Sequence, residues 1–387
     1  MTARAGVSTA AARAAFRRRL LAWYDRAARD LPWRRTSDPY AVWVSEIMLQ
    51  QTQVATVVAY FERFLAALPT VGALAAAPEQ QVLKLWEGLG YYRRARQMHR
   101  AAAVIVAEHQ GAVPRDLDAL GRLPGIGRYT AGAIASIAFD QRAPIVEANT
   151  LRLLARLLAY RGDVTEAAGQ RRLWDLAEAL LPRRGAGRFN QAMMELGSLV
   201  CTPQAPRCAE CPVSQLCPTH AGGWHAAIPA ARKKPNVESV AETAVVVSRG
   251  PKVLVGRKSG GRWDGLWDFP RFAAHDADAA EQVRALTGVT VRIVDRLATL
   301  KHGVTRFRIT LTCLVAEYES GRPKTEWRWF DTEALAALPM PVTGRKIAAL
   351  AFAPGDSPGA NVERSRVSTR TRSSRSSARS RSSGRRA

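Results

Sequence analysis

The chain has 387 residues, 47% of them hydrophobic, and a formal net charge of +24. That is enough for two domains plus tails, and the charge asks for a polyanionic partner, nucleic acid first. No apolar run approaches the ~20 residues of a membrane span and no basic amphipathic helix suggests a membrane surface, so a soluble chain with no membrane contact is expected.

Residues 1–15, rich in Ala and Arg, read as a disordered basic leader. Residues 16–30 carry apolar side chains at helical spacing, and Asp30-Leu31-Pro32 closes that helix. Near Tyr40 a second helical pattern begins and runs on, with Val44, Ile47, Met48, Val54, Val57, Val58 and Phe61 as one buried stripe. Glu46 falls inside the stripe. A lone helical Glu is ordinarily solvated. The uncharged polar run Gln50-Gln51-Thr52 beside it suits hydrogen bonding to a base edge or backbone instead.

Two more helices flank the tight turn Gly88 to Gln97, whose Tyr91 and Tyr92 are flat groups able to stack on or wedge between bases and whose Arg93, Arg94 and Arg96 are placed to meet phosphates. A helix cap with core tyrosines is the plainer reading of that turn. Residues 117–137 place Leu-Pro-Gly-Ile-Gly-Arg between two helices. The amides around Gly125 and Gly127 then stand at a helix N-terminus, where they hold an anion. Ala143 to Val146 is extended, Glu147 follows as a fixed negative charge or a plain cap, and Asn149 is the expected N-cap of a helix over Leu151–Leu158.

Four of the five cysteines, Cys201, Cys208, Cys211 and Cys217, stand in a C-x6-C-x2-C-x5-C run. Without a visible secretory signal, disulfides are the poorest choice. Zinc usually takes two short C-x2-C pairs, and one is present. The spacing therefore favours a four-iron cluster over zinc. Cys313 lies apart in an apolar stretch.

Residues 221–240 read as a linker. After them the periodicity turns to strands, with one helix in the middle and a last one near residue 352, an α+β domain over 241–353. Residues 354–387 are Arg/Ser repeats without core formers and are expected to be disordered.

Across residues 16–352, the segments LPWR, VWVSEIMLQQTQVATV, LWEGLGYYRRAR, LPGIGRYTAGAI and NQAMMELG, with the cysteine spacing, come in one order. That order resembles the MutY-type adenine DNA glycosylases of the endonuclease III-like helix-hairpin-helix superfamily. GRWDGLWDFP resembles the family's C-terminal Nudix-like domain. The resemblance implies a multidomain chain: an all-α glycosylase domain over 16–220 with a [4Fe-4S] loop at 201–217, then the Nudix-like domain. It implies a monomer of a bacterial-type cytoplasm that acts on double-stranded DNA, removing adenine mispaired with 8-oxoguanine or guanine without nicking the strand.

The same resemblance implies roles. Glu46 matches the acid that protonates adenine. Glu147 stands where the family carries Asp in an Asp-Gly-Asn segment, as Glu147-Ala148-Asn149 here. Tyr129 occupies the slot of a Schiff-base Lys in strand-nicking relatives. Tyr129 and Glu195 match the adenine pocket, Trp33 and Arg34 its mouth, and Leu49 and Asn149 belong to the same substrate site. Gln51 and Thr52, with Leu89, Gly90 and Tyr91, match segments that invade the duplex. Thr305, in Val304-Thr305-Arg306, keeps the hydroxyl of the family's Phe-Ser-His loop. No Nudix glutamate box follows Pro270, so nucleotide hydrolysis is not expected. The alternatives are a thymine-directed glycosylase on the same scaffold and a non-catalytic lesion binder.

Overall fold

In the computed structural model, residues 6–230, 236–273 and 278–352 are described, and the chain divides into two compact units, Met1–Lys234 and Pro235–Ala387. The first unit is helical: α1 (Ala10–Ala27), α2 (Pro39–Leu49), α3 (Val54–Ala67), α4 (Val71–Ala76), α5 (Glu79–Leu85), α6 (Arg93–Glu108), α7 (Leu117–Arg122), α8 (Arg128–Phe139), α9 (Ala148–Leu157), α10 (Ala167–Leu180), α11 (Ala186–Leu199) and α12 (Pro218–Ala221).

Of the leader expected at 1–15, residues 10–15 belong to α1. Thr9 caps α1 by accepting from the Ala12 amide at 3.1 Å, and the Ala-rich segment behind it is a good helix former. On α1, Phe16 and Leu20 pack with Leu153, Leu154 and Leu157 of α9 and with Phe189, Met193 and Leu196 of α11 in one core. Each such side chain contributes roughly 1.5–3 kcal/mol on burial.

Helix α2 starts at Pro39, with Asp38 accepting from the amides of Tyr40 and Ala41, both at 3.2 Å. Every residue from Tyr40 to Met48 is buried, so α2 is enclosed on all sides and not amphipathic. The single helix expected from Tyr40 through Phe61 is two helices. The guanidinium of Arg94, on α6, donates to the carbonyls of Ile47, Met48 and Gln50. Those acceptors are then directed to a cation instead of to amides one turn on. The chain turns out through Gln51, at φ +57°, and restarts at Val54.

Helices α7 and α8 enclose the Leu123–Gly127 turn as expected. Gly125 adopts φ +79°, and a Cβ there would stand 2.7 Å from Cβ of Gln97, so only glycine lets the hairpin lie on α6. The residues from Ala143 to Val146 belong to no helix or strand, and α9 follows after Glu147. Its N-cap is Glu147, not Asn149. Glu147 accepts from the amides of Asn149 and Thr150, each at 2.8 Å, and the Thr150 hydroxyl accepts from the Glu147 amide in return.

The expected linker of 221–240 shrinks at both ends. Ile228 is fully buried in the helical core, and Arg156 of α9 donates to its carbonyl at 3.0 Å. At the other end the first strand already begins at Glu238.

The second unit has β1 (Glu238–Arg249), β2 (Lys252–Arg257), β3 (Trp267–Asp268), β4 (Arg271–Ala273), β5 (Val289–Val304), β6 (Phe307–Gly321) and β7 (Trp327–Phe330). Helices α13 (Ala279–Thr287), α14 (Thr332–Ala337) and α15 (Val342–Ala351) complete it. The sheet order is β3-β2-β1-β6-β5, with β4 on β1 and β7 on β2. β1 and β6 run parallel, while β5 and β6 form a long antiparallel hairpin whose tip holds Thr305. The Arg/Ser stretch at 354–387 lies outside the described residues.

Candidate active site

Three elements bring the chemistry together. The enclosed helix α2 carries Glu46, the first turn of α8 carries Tyr129, and the N-cap of α9 is Glu147. All three line one cavity of about 580 Å³. The Tyr129 hydroxyl donates to Oε2 of Glu46 at 2.5 Å and lies 3.4 Å from Sδ of Met194 on α11.

Glu46 is 4% exposed. Burial pushes its carboxyl up to about 7, against the hydrogen bond from Tyr129; the Glu147 charge pushes the same way, and Arg34 pulls back. Burial also raises the Glu147 carboxyl, while the Asn149 and Thr150 amides and Arg152 oppose it. Burial raises the Tyr129 hydroxyl well above its ordinary value, so it stays a donor. The two carboxyls thus have different partners: a phenol for Glu46, helix amides and a guanidinium for Glu147.

Glu195 lies fully buried on the cavity wall. Burial works against its ionisation, but the bonds from Arg29 and Arg34 outweigh it and hold the carboxyl at about 2. Arg29 donates from Nη2 at 2.6 Å and Arg34 from Nη2 at 2.9 Å. Glu195 is thus a fixed anion that orients two cations at the rim. Trp33, edge-on to Phe61 at 5.5 Å, lines the cavity with Arg34.

Leu49, Gln51, Thr52, Gly125, Gly127 and Asn149 also line the cavity. Leu89, Gly90, Tyr91 and Thr305 do not. Leu89 is buried, whereas Tyr91 is 49% exposed at φ +47°. Within the segment matched to duplex invasion, Leu89 packs inward and Tyr91 is the side chain presented outward. The Thr305 hydroxyl, at φ +52°, donates to its neighbour's carbonyl, Val304 O, at 2.7 Å.

Sequence reasoning missed Arg29 and Met194, and read Arg94, with Arg93 and Arg96, only as a group able to meet phosphates. Arg94 joins two loops: Nη2 donates to Thr52 Oγ1 at 3.3 Å and to the carbonyls of Leu89 and Gly90, both at 3.2 Å. Nothing local in the sequence marks it among the other arginines of that segment.

At its far side, α9 meets the cysteine loop. Arg152 donates to Asn149 Oδ1 at 2.9 Å and to the Cys201 carbonyl at 2.7 Å, and Arg156 reaches Sγ of Cys201 at 3.2 Å. All four thiols of the run line one small pocket with Leu153, Leu157 and Val200, and none is in a disulfide. Burial raises Cys208 and Cys217 and pushes Cys211 up to about 12, so these sulfurs become thiolates only around a cationic centre. Such a donor set fits a metal centre.

Residues 44–179 match the HhH-GPD superfamily of base excision DNA repair proteins, and residues 243–350 match the NUDIX domain. The chain is 49% identical over 236 residues to the adenine DNA glycosylase of Rattus norvegicus, covering 59% of this chain and 46% of that protein. It is 37% identical over 259 residues to the adenine DNA glycosylase of Buchnera aphidicola, covering 66% of this chain and 75% of that one. A solved thermostable thymine-DNA glycosylase superposes with TM-score 0.50 at 31% identity, covering 54% of this chain and 97% of that one. The chain thus carries a domain of the HhH-GPD base-excision repair superfamily followed by a Nudix-like domain. It belongs to the adenine DNA glycosylase family. It spans about half the length of the mammalian relatives it matches.

Proposed function

We propose that the protein hydrolyses the N-glycosidic bond of adenine mispaired with 8-oxoguanine or guanine in double-stranded DNA. The observation that carries this reading is Glu46: a buried carboxyl that holds its proton to about pH 7, bonded to a phenol, in one cavity with a second carboxyl. Glu46 gives its proton to N7 of an extruded adenine. The C1′–N9 bond then breaks with its electrons going to the base, and the sugar becomes an oxocarbenium ion. Glu147, held by two amides, faces that cation. Water adds at C1′ and gives its proton to the Glu46 carboxylate, which restores the acid and leaves an abasic site. Tyr129 supplies no amine for a Schiff base, so the strand stays intact.

Arg29 and Arg34, fixed by Glu195, meet the mouth of the pocket. The amides of Gly125 and Gly127 grip a phosphate without reading sequence. Gln51 and Tyr91 stand at the left-handed tips of the two loops tied by Arg94, and fill the gap that base extrusion leaves. Thr305 contacts the opposite base. Cys201, Cys208, Cys211 and Cys217 hold a [4Fe-4S] cluster, which pins the loop against α9. The protein acts as a monomer in a reducing, cytoplasmic compartment.

A thymine-directed reading on the same scaffold rests on the 31% identity to the thymine-DNA glycosylase. The two are separated by base release from A:8-oxoG and T:G duplexes. Adenine release supports the first reading, and thymine release with none of adenine replaces it.

A further inference from the structure

The cysteine loop contains a second ligand set. Downstream of Cys208-x2-Cys211 come His220 and His225, with eight residues between Cys211 and His220 and four between the histidines: C-x2-C-x8-H-x4-H. The two pairs match the short C-x2-C and H-x3–5-H spacings of a two-cysteine, two-histidine zinc site, across a bridge shorter than the usual ~12–15 residues. The sequence reasoning that disfavoured zinc counted thiols alone and passed over this pair.

The fold gathers these residues. One ligand atom each from Cys208, His220 and His225 lies within 4.8 Å of the others. Sγ of Cys208 stands 3.2 Å from Nε2 of His225, and the His220 and His225 rings are 5.8 Å apart. Cys211 lines the same pocket as both histidines. Donors around a tetrahedral zinc are about 3.3–3.8 Å apart, as Zn–S of about 2.3 Å and Zn–N of about 2.0–2.1 Å require. A shift of about 1 Å by the exposed His220 therefore brings these three donors to that spacing, and Cys211 stands outside the trio on the wall of the same pocket. The histidine segment is strapped to α9: Thr219 Oγ1 donates to the Arg156 carbonyl at 2.6 Å, and Arg156 donates to the carbonyls of His225 and Ile228 at 3.4 and 3.0 Å.

The geometry points to a zinc site formed by Cys208, Cys211, His220 and His225 that overlaps the four-cysteine set and excludes it. Zinc binding there releases the two thiol protons and leaves Cys201 and Cys217 free. The chain thus has two mutually exclusive loadings, and zinc competes with the cluster proposed above for Cys208 and Cys211.

The test uses the full chain, prepared from iron-limited, zinc-supplemented cells and separately from iron-replete cells. Zinc is read by elemental analysis and the cluster by its visible charge-transfer absorption. Zinc-edge X-ray absorption on the unaltered chain is expected to give two sulfur and two nitrogen neighbours. A paired substitution, His220→Ala with His225→Ala, is expected to weaken zinc binding at least ~100-fold while the iron-replete protein still shows its cluster. Cys201→Ala with Cys217→Ala is expected to do the reverse. Four sulfur neighbours, zinc affinity unchanged in the histidine variant, or zinc lost with Cys201 and Cys217 would each overturn the proposal. Absence of a cluster from iron-replete protein would count only against the cluster reading.

Discussion

The Tyr129 hydroxyl points its hydrogen at Oε2 of Glu46 across 2.5 Å, joining the first turn of α8 to the enclosed helix α2. A donor on a carboxylate favours the charged form, so Tyr129 lowers a proton affinity that burial has raised. Tyr129→Phe is expected to move the alkaline limb of the single-turnover rate to a pH above the parent's, which lies near 7. A limb that stays in place would show that Tyr129 does not set it.

Stability should carry the mark of the same carboxyl. Glu46 holds its proton to about 7 when folded, against 4.5 as the ordinary value. Between those pH values the unfolded chain ionises and the folded one does not, so stability falls as pH rises through the window and is flat above it. Glu46→Gln removes that loss. The variant is expected to be more stable than the parent by on the order of 2–3 kcal/mol at pH 8, and equal to it near pH 4. Urea midpoints at the two pH values decide this.

Glu147 does two jobs that two substitutions separate. Glu147→Ala removes both the charge facing the sugar and the cap of α9. It is expected to cost about 1 kcal/mol of stability and at least ~100-fold in base release. Glu147→Gln keeps an amide oxygen for the cap, so its stability stays near the parent's while the rate falls as far. Equal rates in the Glu147→Gln variant and the parent would show the charge to be dispensable.

These residues differ in how far the sequence disclosed them. Glu46 stood out because an acid sat in an apolar stripe, and the helix around it is indeed enclosed. The break after Leu49 was hidden, since Gln-Gln-Thr-Gln has no glycine or proline. Its cause, Arg94, lies 44 residues beyond Gln50 and acts through carbonyls. Glu147 reads as a fixed charge or a plain cap, but Asn149, the better N-cap by habit, draws the assignment. Glu195 was placed in the pocket, yet its partner Arg29 was not, for ion pairs between distant segments leave no periodicity. The histidines beyond the cysteine run escaped notice because spacing was read over thiols alone.

Arg94 yields a prediction of its own. Six oxygen acceptors on the end of α2 and on two loops bond to one guanidinium, and of these Gln50 O and Gly90 O have a second donor, Thr52 Oγ1 and Trp86 Nε1. Arg94→Met leaves several of them unsatisfied, at about 1–3 kcal/mol for each one buried. Adenine release from an A:8-oxoG duplex is expected to fall at least ~10-fold, while release from an adenine already unpaired in a bubble falls less, since that base needs little extrusion. Equal losses on both substrates would place Arg94 in the chemical step instead.

The proton on Glu46 is tested most directly by adenine release from an A:8-oxoG duplex, under single-turnover conditions, from pH 5.5 to 9. The expected rate declines above about pH 7, approaching tenfold per unit, and Glu46→Gln is at least ~100-fold slower than the parent near neutrality. A parent rate that climbs steadily with pH, or a Glu46→Gln protein as fast as the parent, would contradict it.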